Sequence, residues 1–206
     1  PGSSWGDGEF ATKDHTLRRL TSVTEGDTTT DDVFDPETQW ATFAKDTADG
    51  LGCHGETACD GTQTLPTEGT PIGGGTDSQG IVVITEYIEG GSSNKAIEIS
   101  NLGTANVDLA VNGYKLELFA NGKKDTPNEL FLQGLLVPGS SIVVYNQGAT
   151  DAFKKAAPQG IEDASVTFFN GDDAIILLNN AGVVDSFGQF GEDPGSSWGD
   201  GEFATK

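Results

Sequence analysis

The sequence predicts an all-β fold, an antiparallel β-sandwich carrying one or two short helices. Three observations lead there. Apolar residues come in short runs rich in β-branched and aromatic side chains. The runs recur at intervals of roughly ten residues, the spacing of sandwich strands. Turn-forming Gly, Pro, Asn and Asp separate them, and the chain holds 29 Gly and 8 Pro.

Taken in order, the first strand candidate is HTLRRL (15–20). PETQWATFAKD (36–46) predicts a short helix, with Asp35 as N-cap and Pro36 at the first helical position. Residues 57–80 hold one Leu and one Ile among Gly, Thr, Pro and Asp, too little apolar surface to order themselves, and read as a linker. Strands are then expected at IVVITEYI (81–88), KAIEIS (95–100), YKLELFA (114–120), ELFLQG (129–134) and SIVVYN (141–146). A second helix, TDAFKKAA (150–157), stops at Pro158. SVTFFN (165–170), AIILLN (174–179) and VVDSFG (183–188) complete the set. Between them lie the turn signals NG at 112–113 and 121–122, PGS at 138–140, NGDD at 170–173 and NNAG at 179–182.

The chain has 206 residues, room for one domain and a linker. It contains no Met, and is expected to be cut from a longer polypeptide. No apolar run approaches the ~20 residues of a membrane helix, so no membrane insertion is expected. A net charge of −21 repels phosphate backbones and anionic lipid, which argues against direct nucleic-acid binding. Cys53 and Cys59 flank five residues, a loop that a disulfide could close; such a pair points to an oxidising, extracellular or cell-surface location. A zinc site recruiting His54 lacks a fourth ligand.

Residues 1–13, PGSSWGDGEFATK, recur letter for letter as residues 194–206. A repeat on this scale marks either one period of an array cut out of phase or a rearranged chain with an overlap. Pro1, Trp5, Pro194 and Trp198 mark the expected assembly junctions.

The motifs IVVITEYIEGG with Glu86, AIEISNLG with Glu98 and Asn101, VDLAVNGYKL, LLVPGSSIVVYN and VTFFNGDDAIILLNNAGVVDSFG together resemble the lamin tail domain, in its bacterial form found beside secreted nucleases. The likeness continues through GEDPGSSWGDGEFATK (191–206) and then, at the other end of the chain, through DHTLRRL (14–20) to FDPETQWATFAKDTADGLG (34–52). The two halves therefore stand in permuted order. Residues 1–56 read as the C-terminal part of such a domain and residues 81–206 as its N-terminal and central part. The resemblance implies an immunoglobulin-like sandwich without catalytic activity of its own.

The candidate sites are few. Asp27, Asp31, Asp32 and Asp35 lie within nine residues and are carboxylates that Ca²⁺ could bridge, against the alternative of a solvated acidic loop. NGDD and the GDGE segments are better explained as turns. Glu86 alternates with Val82, Ile84 and Ile88 and is expected to be partly buried and paired, with Arg18 or Arg19 as partner. His15 and His54 accompany no nucleophile motif, so the chain reads as a non-enzyme requiring no cofactor, with Ca²⁺ as an optional ligand. The expected function is a structural repeat unit joined head to tail with copies of itself into a fibre. The alternatives are an accessory module of a secreted nuclease or a circularly permuted single domain. Residues 14–56 would either fold back onto 81–193 or complete the preceding unit.

Overall fold

The computed structural model describes residue 5 and residues 10–54, 80–157 and 159–194. Among these residues twelve strands and one α-helix succeed one another in chain order: β1 (Thr16–Arg19), β2 (Trp40–Phe43), β3 (Val82–Glu89), β4 (Lys95–Asn101), β5 (Val107–Asp108), β6 (Lys115–Phe119), β7 (Asn128–Phe131), β8 (Leu135–Leu136), β9 (Ser141–Tyr145), α1 (Asp151–Ala156), β10 (Ile161–Glu162), β11 (Ala174–Asn179) and β12 (Gly182–Phe187). A six-stranded sheet runs β10-β9-β4-β3-β1-β2, a four-stranded sheet β12-β11-β6-β7, and β5 pairs with β8. Every pairing is antiparallel except β10 on β9. This is the expected all-β, immunoglobulin-like sandwich. Among the described residues no helix is long and apolar enough to cross a membrane.

Alternation along the strands builds the core in layers. Leu17, Trp40, Val82, Ile84, Tyr87, Ile97, Ile99 and Val144 face Leu116, Leu118, Ile175, Leu177 and Phe187 between the sheets. The outer face of the six-stranded sheet is covered by α1 and by the 48–51 turn, through Phe153, Leu51, Ile88, Ala96, Val143 and Tyr145. This explains why all eight residues of β3 are buried. Helix α1 starts where Thr150 accepts the Phe153 N–H at 3.4 Å.

Four expectations need correction. Residues 36–46 form no α-helix: Asp35 caps a single 3₁₀ turn (Pro36–Thr38), after which Trp40–Phe43 is strand β2. The cap signal was sound, but pairing with β1 and burial of Trp40 override helix propensity. Residues 165–170 are not a strand. The Asp163 carboxylate accepts from the N–H groups of Ser165 and Val166 at 2.8 and 2.9 Å, offering the backbone an alternative to a ladder. NGDD consequently turns no hairpin. Finally, a bulge between Ile84 and Glu86 inverts the alternation of β3. Tyr87 joins Ile84 on the inner face, while Glu86 and Ile88 point outward.

β1 pairs with β3 in the register Thr16↔Ile88, Leu17↔Tyr87 and Arg18↔Glu86. Residues 14–54 thus close the sandwich of residues 81–194 in this single chain. The expected linker lies outside the described residues except at Gly80.

Candidate functional site

The two halves of the sequence meet in one aromatic cluster. Phe187 of β12 stacks on Tyr87 of β3 at 4.1 Å between ring centroids, and receives the edge contact of Trp40 at 5.1 Å and the tilted ring of Phe34 at 4.9 Å. Trp5 extends the cluster, its ring edge-to-face with Phe34 at 5.7 Å. Trp5 is 1% exposed. Its backbone N–H donates to the Gly171 carbonyl at 3.1 Å and to Thr12 Oγ1 at 2.8 Å, and its carbonyl accepts from the Thr12 N–H at 2.8 Å. The Thr12 hydroxyl in turn donates to the Gly171 carbonyl at 2.5 Å. Gly188, at φ +83°, forms the floor: a Cβ there would lie 3.0 Å from the indole nitrogen and 2.9 Å from the Asp173 carbonyl. Burying an indole removes roughly 150–250 Å² from water, worth about 4–6 kcal/mol before the cost of ordering the chain. The NGDD loop, expected as a mere turn, is therefore the anchor of this Trp slot.

Beyond the slot, β1 is held from both faces by its two consecutive arginines. Arg19 points inward, and its Nη2 donates to Asp185 Oδ1 at 3.1 Å with both side chains 1% exposed or less. Asp185 also accepts the N–H groups of Asp27 at 2.8 Å, Ile84 at 2.7 Å and Ser186 at 3.0 Å. Ile84 is the residue next to the bulge, so the bulge frees the N–H that the carboxylate takes. Burial raises the Asp185 pKa, while Arg19 and the three N–H groups oppose that rise.

Arg18 points outward. Its Nε donates to Glu86 Oε1 at 3.0 Å and its Nη2 to Asp49 at 2.5 Å. Glu86 lies opposite Glu98 in the ladder. Burial first, and the facing Glu98 second, push the Glu86 pKa up to about 8 against the pull of Arg18. Glu98 is raised too, by burial, although it accepts from Thr85 Oγ1 at 2.6 Å and the Gly52 N–H at 2.5 Å. The two buried carboxylates face each other across the ladder, Arg18 pairs with Glu86, and Thr85 and Gly52 serve Glu98. A 280 Å³ cavity opens here, lined by Arg18, Phe43, His54, Thr85, Glu86 and Glu98 among others. Burial lowers the His54 pKa, with Arg19 adding to the effect.

A sandwich assembled from these motifs is matched by one protein family, described as Lamin Tail Domain, over residues 76–191. The chain belongs to the lamin tail domain family. No curated protein matches it in sequence. The lamin tail domain is a non-enzymatic β-module.

Within this lamin tail domain the expected site residues divide. Glu86 does pair with Arg18, while Arg19 goes to Asp185 instead. Trp5 is a core residue and Pro194 is buried; Pro1 and Trp198 lie outside the described residues. Asp27 Oδ1 accepts the Thr29 N–H at 2.9 Å and Asp35 Oδ1 the Glu37 N–H at 3.1 Å, while Asp31 and Asp32 are exposed. Among the described residues no three His, Cys, Asp or Glu side chains are gathered where they could hold a metal. Cys53 is half-buried in the 50–54 turn, and its expected partner Cys59 lies outside the described residues. Missed from the sequence were Asp185, Thr12 and Gly171. For Asp185 a signal existed: a lone acid inside the strand VVDSF, at the alternation position that faces the core.

Proposed function

We propose that this lamin tail domain is a non-catalytic structural unit of an extracellular array, linked head to tail with copies of itself. The observation that carries the reading is that the thirteen-residue segment found at both ends of the chain contains Trp5, a core residue of the sandwich. A segment needed inside the domain and present again 193 residues later is what a periodic polypeptide produces. In such an array the segment after β12 leads directly into the next β1. The contacts of β1 with β3 are then made by the following period, with residues 57–80 as the spacer between sandwiches. Head-to-tail joins of this kind do not close on themselves and extend into filaments. Two consecutive arginines docking into acidic partners, and main-chain pairing along β1, supply the join. The Cys pair and the acidic surface fit an oxidising, saline exterior.

Light scattering and negative-stain imaging of native material test this. The expected result is a particle of many periods, or a ladder of masses spaced by one 193-residue period. Native material consisting of single, monomeric 206-residue chains would overturn the array and leave the self-contained permuted domain.

A further inference from the structure

The slot that holds Trp5 is single, whereas the chain carries two copies of the segment that fills it. We propose that the C-terminal copy, residues 194–206, is an alternative occupant of the same slot, so that the slot is an exchange site for the peptide PGSSWGDGEFATK. The inference rests on the array reading for why two copies exist, and on the slot's geometry alone for what the second copy does.

Three observations carry it. First, recognition is by atoms that both copies possess. The indole against Phe34, the Trp backbone N–H to the Gly171 carbonyl, and the Thr hydroxyl to that same carbonyl would be reproduced by Trp198 and Thr205. Identical sequence gives identical intrinsic contacts. Second, the slot lies on the route from the end of β12 to the start of β1. Its floor, Gly188, is one residue beyond β12, and Thr12 is four residues ahead of β1. A segment continuing from β12 is therefore placed as well as one leading into β1. Third, reach is sufficient. Trp198 lies ten residues after Gly188, which extended span up to about 35 Å, while Gly188 itself already abuts the indole in the slot.

Exchange has a consequence for assembly. When residues 194–206 enter the slot of their own chain, residues 1–13 are released. When they enter the slot of another chain, the two chains become linked, and the accepting chain exposes both of its own copies, the displaced residues 1–13 and its residues 194–206. The occupant of the second kind is a copy of this same protein, and the reaction is one of displacement, with no bond made or broken.

A stability cycle on the full chain tests the proposal: Trp5→Ala, Trp198→Ala and the double variant, each unfolded in urea. With exchange, Trp198 replaces Trp5, so either single variant keeps a midpoint close to the parent. The double variant, with no Trp for the slot, loses far more than the sum of the two. A Trp5→Ala midpoint as low as that of the double, or a Trp5→Ala chain that does not fold, overturns the proposal. Should only the double fail to fold, the contrast with the folded Trp5→Ala chain supports it. A second measurement adds the synthetic thirteen-residue peptide to the folded Trp5→Ala chain and follows displacement by the change in Trp fluorescence and by calorimetry. Saturable binding, lost when the peptide's own Trp is replaced by Ala, is expected; equal binding of both peptides overturns specific recognition. The cycle does not depend on native particle size. A failed cycle with polymeric native material therefore removes the exchange and leaves the array, and a successful cycle with monomeric material does the reverse.

Discussion

Replacing Asp185 by Asn should be among the most destabilising conservative changes in the protein. The carboxylate is fully buried and collects one guanidinium and three backbone N–H groups from four segments: β1, the 26–30 loop, β3 and β12. Asn keeps the size and one acceptor oxygen, but turns the second oxygen into a donor aimed at existing donors. It also strands the Arg19 charge, which is 1% exposed and has Nε and Nη1 without hydrogen-bond partners. Removing one partner of a buried pair costs about 3–5 kcal/mol, and an orphaned N–H adds about 1–3. The expected loss is about 4–8 kcal/mol, a large share of the roughly 5–15 typical of a whole domain. Arg19→Met should cost less. Arg19 leaves two donors unsatisfied, its aliphatic stem and stacking on Trp40 are partly kept, and Asp185 retains its three N–H groups. The double variant should then lie above the sum of the singles by about 2 kcal/mol or more. Urea unfolding followed by circular dichroism reads all four proteins. A D185N loss under about 0.5 kcal/mol, or strict additivity, would refute the reasoning.

Stability should fall as pH rises from about 5 to about 8.5: Glu86, Glu89 and Asp173 have folded pKa values raised to about 8, 7 and 6, so the stability present below their ordinary range is lost as each is forced to ionise inside the fold. A flat melting temperature over that window contradicts these assignments. Gly188→Ala should cost at least ~2 kcal/mol, because its φ is +83° and a Cβ meets the Trp5 indole and the Asp173 carbonyl; Gly139→Ala, equally positive in φ but with nothing within 4 Å, is the control and should lose about 1 kcal/mol. Thiol labelling of the unreduced, denatured chain should find no free thiol, the mark of the proposed Cys53–Cys59 bond, whereas two labelled thiols exclude it. The proposed acidic-loop site of Asp27, Asp31, Asp32 and Asp35 is tested by millimolar Ca²⁺: a melting temperature raised by the cation and lowered again by chelator supports it, and an unchanged one excludes it.

How far the fold was legible in the sequence depends on where each element draws its stability. Strands whose apolar pattern is local, such as Ala174–Asn179 and Ser141–Tyr145, were visible because their own residues carry the signal. β2 was hidden because Asp35-Pro36 is a true cap, and only pairing with the distant β1 makes residues 40–43 a strand rather than a longer helix. The bulge in β3 was hidden because nothing in VVITEYI breaks the alternation; the group that takes the Ile84 N–H beside it, the Asp185 carboxylate, lies about a hundred residues away. The same holds for the slot. Repetition in the sequence marked Trp5 as important, yet not as a core residue, since its partners Phe34 and Gly171 are remote in the chain.

β1 itself shows why the join between the halves is specific as well as stable. In a chain with 11 Lys and Arg against 32 Asp and Glu, two cations sit side by side on this one four-residue strand. Because alternate residues face opposite ways, Arg18 meets Glu86 and Asp49 on one face and Arg19 meets Asp185 on the other. A slip of one residue would place each arginine on the other face, set Leu17 or Leu20 where an arginine stood so that either Glu86 or Asp185 loses its counter-ion, and turn Leu17 out of the core. The acidic cleft left between β3 and β12 when β1 is absent therefore attracts a basic strand and accepts it in one register only. That requirement is indifferent to whether β1 arrives from the same period or from the next. The contacts depend on the strand and the cleft, and connectivity enters only through reach. The same physics accommodates the fold-back seen within one chain and the head-to-tail join of an array, so charge selects the register while chain order selects the partner.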